Sequence, residues 1–256
     1  MSYRTLLPKG STTEAGDVAT PRASYRDTPV AALPPKTMVW LCLLIVLCID
    51  VLFLIANVAH RLGDGAEEGA LGVFAPDAWE GDHDGSHVEI WGHIQLFAAS
   101  VLLVVLARVH RSMLLGAWGF ALLVIVIDDL LQLHEELGEY LAETLRLPMV
   151  MGLRAVDLGE LITWVLLAGV ILPPLVVGYL RANAWERRQS WVFVGILVVL
   201  VIFAFGLDMA AIIVKDHVPG PAMAGLALLE TFGEIVPMSL FFAFVVKLAL
   251  SPERIK

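Results

Sequence analysis

The run Val124-Ile125-Val126-Ile127-Asp128-Asp129-Leu130-Leu131-Gln132-Leu133-His134-Glu135-Glu136 carries a long apolar stretch directly into a knot of acids and a histidine. A carboxylate near the centre of a bilayer is disfavoured by about 2.5 to 3.5 kcal/mol on insertion scales, so such residues persist where function or pairing compensates for them. How the stretch is read decides the fold, and the rest of the chain favours a membrane.

Of the 256 residues, 58% are hydrophobic and only 17% are charged, with a mean hydropathy of +0.79. Soluble domains are closer to half apolar and a quarter charged, which excludes that class. Six segments approach the length of about 20 residues needed to span a bilayer: 38–58, 89–108, 113–137, 156–180, 190–213 and 223–249. The expected fold class is therefore an all-α integral membrane protein, a six-helix transmembrane bundle over residues 38–249. Residues 1–37 are rich in Pro, Thr, Ala and charge, contain no apolar core of a signal peptide, and are expected to be a disordered tail; 250–256 form a short second tail. Cys42 and Cys48 stand six residues apart on the first helix, on different faces, and are expected to pack rather than to pair. Basic residues are few and flank the membrane segments, so no nucleic-acid partner is expected.

Those basic residues set an expected orientation. Arg4, Lys9, Arg22, Arg26 and Lys36 precede the first helix; Arg108 and Arg111 join the second to the third; Arg181, Arg187 and Arg188 join the fourth to the fifth; Lys247, Arg254 and Lys256 close the chain. The alternate loops are poor in Lys and Arg, and the first carries Asp64, Glu67, Glu68, Asp77, Glu80, Asp82 and Asp84 against Arg61. By the positive-inside rule both termini are cytoplasmic, and the setting is the plasma (inner) membrane, with membrane lipids as neighbours.

With that topology, the intramembrane polar residues fall at the outer end of the helices, and the expected site faces outward. Asp50 and Asn57 lie late in the first helix, Glu89, His93 and Gln95 early in the second, Asp128, Asp129, Gln132, His134, Glu135 and Glu139 late in the third. Asp157 and Glu160 open the fourth, Asp208 ends the fifth, and Glu230 and Glu234 lie early in the sixth. Residues three, four or seven apart share a helix face. Glu89/His93, Asp128/Gln132/Glu135/Glu139, Asp157/Glu160/Trp164 and Glu230/Glu234 thus form stripes, which is how a bundle assembles a central site from facing helices.

Asp50, Glu89, Asp128, Asp129, Glu135, Glu160, Asp208, Glu230 and Glu234 are opposed only by His93, His134, Arg154 and Lys215. Raised pKa values, exposure to water or bound cations can balance such an excess; bound metal is the reading adopted. A mixture of carboxylates and histidines suits Fe, Mn or Zn, whereas an all-oxygen set suits Ca or Mg. The expected metal ligands are Glu89, His93, Asp128, His134, Glu135, Glu230 and Glu234, with Glu160 and Asp208 as catalytic general-base or supporting groups. Asp129 and Glu136 are read as facing the interface or a neighbouring helix, Asp157 as an N-terminal helix charge, and the loop acids as a solvated surface. His83 and His87 offer a cap over the site. Pro173-Pro174 and Pro237 are expected to bend their helices.

Neither Glu89-x-x-x-His93 nor His134-Glu135 matches the Glu-x-x-His pairs of di-iron carboxylate bundles, and H-E-x-x-H, G-x-S-x-G and P-loop patterns do not occur. Three function classes follow. The first is a metal-dependent membrane hydrolase or oxidoreductase acting on a lipid or amphipathic substrate. The second is a cation- or proton-coupled transporter using the same acids. The third is a non-catalytic subunit of a membrane complex, its polar cluster locking the helices together.

Overall fold

A computed structural model describes residues 34–63, 72–81, 83, 85–150, 153–214 and 217–251. The expected N-terminal tail up to residue 33, residues 64–71 of the acidic loop with Asp82 and Asp84, residues 151–152, Lys215 and Asp216, and the last five residues lie outside the described residues. The described part is all-helical, as the periodicity predicts. Seven helices follow in order: α1 (Pro35–Gly63), α2 (His87–His110), α3 (Met113–Leu130), α4 (Leu133–Leu145), α5 (Ala155–Arg181), α6 (Ala184–Val214) and α7 (Gly220–Ala249). All but α4 are long and apolar enough to cross a membrane.

Local chemistry explains several boundaries. Ser86 caps α2 by accepting from the Glu89 amide, Ser112 caps α3 through Leu115, and Asn183 and Glu186 form a reciprocal capping box on α6. Arg111 ends α2 in the left-handed conformation, at φ 55°. Most helices begin before and end after the predicted apolar segments, because caps and basic residues extend a helix beyond its membrane-compatible core.

One boundary corrects the sequence reading. The predicted third span over 113–137 is two helices, because Gln132 adopts a left-handed conformation (φ 49°, ψ 37°) between α3 and α4. No Gly or Pro marks that break, so hydropathy ran through it. The stripe Asp128/Gln132/Glu135/Glu139 therefore does not exist as one helix face: Asp128 belongs to α3 and Glu135 and Glu139 to α4.

The apolar core lies where α2, α3, α6 and α7 meet. Leu96, Leu103, Leu114, Leu122, Phe193, Phe241 and Val245 are fully buried there. Phe193 stacks on Phe241 at 4.8 Å, and Trp118, beside Phe193 at 5.3 Å, donates to Ser190 at 2.8 Å. Most of them, such as Leu103 of α2, Leu114 and Trp118 of α3, Phe193 of α6 and Phe241 and Val245 of α7, lie in the halves of their helices opposite to those that carry the acids of the predicted site. α1 packs on α7, and α5 packs on α3 and α4. Pro173, Pro174 and Pro237 sit inside continuous helices.

Asp50 serves packing rather than the acidic cluster. It is buried in α1, accepts from Trp91 Nε1 at 2.9 Å and from the Ser239 hydroxyl, and so ties α1 to α2 and α7. A buried carboxylate held by donors in this way is satisfied without a counter-cation.

Candidate metal centre

The break at Gln132 builds the site. It turns the chain at the end of α3, so that His134, in the first turn of α4, folds back on Asp128 with Nδ1 3.1 Å from Oδ2. A straight helix would leave these two residues, six apart, on different faces. Asp128 is fully buried. The His134 ring packs on Trp164 of α5 at 5.3 Å between centroids, which fixes its plane from the other side.

α2 supplies the facing wall. His93 is 3% exposed, with Nε2 3.1 Å from Asp129 Oδ2 and Nδ1 3.8 Å from Glu89 Oε1. The imidazole stands between two carboxylates and orients Asp129 toward Asp128 and His134. Those three residues each present one ligand atom within 4.8 Å of the others. Atoms bound at about 2.0–2.2 Å to one ion lie no more than about 4.4 Å apart, so the three side chains close by a few tenths of an ångström or more to hold one. Glu135 Oε1 lies 3.9 Å from His134 Nε2 on the more exposed side.

The remaining predicted residues surround this nucleus without joining it in one shell. Glu234 of α7 feels the charges of Glu230, Asp129, Glu89 and Asp208. Glu160 of α5 feels Asp157, His134, Glu135 and Asp208. Asp208 thus acts on both groups. It follows a π-helical segment, Ile202–Leu207, inside α6, and π segments shift the phase of every residue beyond them. Asp157 is an N-terminal helix charge, as its position suggested: Arg154 Nε donates to it at 2.9 Å, and its other oxygen accepts from the Arg154 amide.

Asp129, read from the sequence as facing the interface or a neighbouring helix and left out of the ligand set, does meet a neighbouring helix, pairing with His93 of α2, and it also stands in the group with Asp128 and His134. The signal available was the Asp-Asp doublet itself: where a helix ends, two adjacent acids reach different neighbours. The sequence also offered His83 and His87 as a cap. Both are exposed, and His87 packs against Trp79 at 4.6 Å.

Two buried atoms lack a hydrogen-bond partner here, Asp128 Oδ1 and His93 Nδ1. Buried polar atoms are nearly always paired, and an orphaned carboxylate oxygen is costly to leave so. Outside the spans, His134 titrates above its ordinary range. Burial opposes its charge, but the hydrogen bond to Asp128 and the charges of Asp128, Asp129 and Glu135 outweigh that.

No curated protein and no solved structure matches the chain. Residues 70–248, from the acidic loop to the end of α7, match a family described as a domain of unknown function. That match takes in α2 to α7 and with them every residue of the candidate centre, and the chain belongs to that family, DUF8692.

Proposed function

We propose that the protein is a metal-dependent membrane enzyme whose ion, Fe, Mn or Zn, is held by Asp128, Asp129 and His134. Glu89, His93, Glu135, Glu230 and Glu234 complete or support the ligand set. The orphaned, fully buried Asp128 Oδ1 carries this reading: an acceptor with no donor, beside His134 and a second acid, fits a cation. The bound ion would supply Lewis acidity and acidify water.

The chain's own residues supply the rest. His93 holds Asp129, Trp164 holds the His134 ring, and Glu160 or Asp208 accepts the proton that a hydrolytic or oxidative step releases. The basic flanks of the helices support an outward-facing site, cytoplasmic termini and an inner-membrane setting.

Equilibrium metal titration of the purified protein tests the reading. The ion must displace the His134 proton, whose pKa is raised. Affinity is expected to be flat at high pH and to fall by about one decade per pH unit once His134 is protonated. In metal-free protein the sign reverses. The pair with Asp128 stabilises the fold fully below the ordinary histidine pKa and is lost as pH rises through the raised value. A pH-independent affinity contradicts a ligand role for His134.

A cavity of about 400 Å³ bounded by Arg61, Asp208 and Glu230 favours a second reading, a cation- or proton-coupled transporter. Uptake into proteoliposomes that depends on Glu230 would establish it in place of the enzyme.

A further inference from the structure

Beside the candidate centre runs a second cavity, of about 460 Å³, between α4 and α5. Its walls are Leu133 and Leu137 of α4 and Leu166 and Val170 of α5, all exposed on the outer surface of the helices. At its head stands Asp128, and Glu136 lines it from α4. The volume falls within the range of about 300–1,000 Å³ typical of small-molecule sites, which are mostly apolar with a few placed polar groups.

Three observations fix what fits. The walls belong to α5, long and apolar enough to span a membrane, and to α4, whose Gly138 and Ala142 are buried while Leu137, Tyr140 and Leu145 are exposed. An amphipathic helix of that kind lies along a membrane surface, with tyrosine at the headgroup level. Exposed apolar walls on a helix of membrane-spanning length favour entry from the bilayer. Next, the buried Asp128, with its orphaned Oδ1, lines the cavity, so the apolar channel and the candidate ion site share a residue. Last, both carboxyl groups lining the cavity, Asp128 and Glu136, disfavour an anionic head, and no Lys, Arg or His lines it to offset them.

We propose that this cleft takes the hydrocarbon chain of a single-chain lipid from the membrane and brings an uncharged, hydroxyl-bearing head to Asp128. The head's hydroxyl donates a hydrogen bond to Glu136 or faces the candidate ion site at Asp128. The proposal rests on the metal-enzyme reading for the fate of the head, and on the cleft alone for the binding of the chain.

The test uses full-length protein in phosphatidylcholine vesicles and two diazirine-bearing probes of equal chain length, a long-chain alcohol and the corresponding fatty acid. The alcohol is expected to label α4 and α5 peptides saturably, and more strongly than the acid. Leu167, a half-buried residue of the same wall, gives the filling variant Leu167→Trp. It is expected to cut labelling by about tenfold, the discrimination typical of a pocket that rejects by volume, while metal content stays unchanged. Val170→Trp, at an exposed position, provides the same reading if the first variant does not fold. Labelling equal to that of the lipid-facing residues of α1, or unaffected by either variant, overturns the cleft. Stronger labelling by the acid overturns the head assignment. Saturable labelling in a protein that holds no metal overturns the metal reading and leaves the cleft standing.

Discussion

Asp128→Asn is expected to lower metal affinity by at least about 100-fold, since loss of groups that only support a ligand already costs about 10- to 100-fold. The amide keeps the volume of the carboxylate and one oxygen beside His134, so the helices still pack. It removes the negative charge and places an NH2 or a weaker oxygen where the buried, unpartnered Oδ1 stands. Isothermal titration of wild type and variant checks this, with circular dichroism confirming retained helix. Glu139→Gln, on an exposed position of α4, is the matched control and leaves the affinity as it was. Equal affinities for Asp128→Asn and wild type would remove Asp128 from the ligand set.

Gly159→Ala is expected to be nearly as damaging at a position that touches no ligand. α4 and α5 meet backbone to backbone there: a Cβ on Gly159 runs into the Gly138 carbonyl and lies 2.7 Å from its carbon, and one on Gly138 lies 2.8 Å from the Glu160 amide nitrogen. Backbone cannot rotate away as a side chain does, so α4 must shift. Overpacking of this kind costs about 1–3 kcal/mol. The larger effect falls on the site, because α4 carries His134 and Glu135 while α3 carries Asp128 and Asp129. Displacing α4 pulls the histidine away from the acids. Expected results are a lower melting temperature and metal affinity reduced at least about tenfold. Gly195→Ala in α6, where a Cβ meets open space, is expected to leave both unchanged.

Much of this arrangement was legible in the sequence because membranes constrain it. A helix must satisfy its backbone internally in lipid, so apolar length alone located all six spanning helices, although the third ends seven residues before and the fifth begins six residues before its expected bound. The acids were legible as a group because each is costly in a bilayer. What failed was phase. The left-handed residue at Gln132 has no Gly or Pro signature, and it divides one predicted stripe between two helices, α3 and α4, that both pack on α5. The same break explains why Asp129, expected at the interface or against a neighbouring helix, both meets His93 of α2 and stays beside Asp128: a helix end lets adjacent side chains serve different walls. The π segment before Asp208 is equally silent in the sequence, since its Ile-Phe-Ala-Phe-Gly-Leu composition is that of any apolar helix. Asp50 shows the converse, an intramembrane acid whose cost is met by Trp91 and Ser239.

Elemental analysis of protein purified without added metal tests the central claim most directly, with wild type compared to Asp128→Asn and His134→Ala. The account predicts a transition metal, Fe, Mn or Zn, near one ion per chain in wild type and strongly reduced in both variants, with all three proteins retaining their helical content. Wild-type protein that carries no metal and takes up none on titration, or variants that carry as much as wild type, would contradict it.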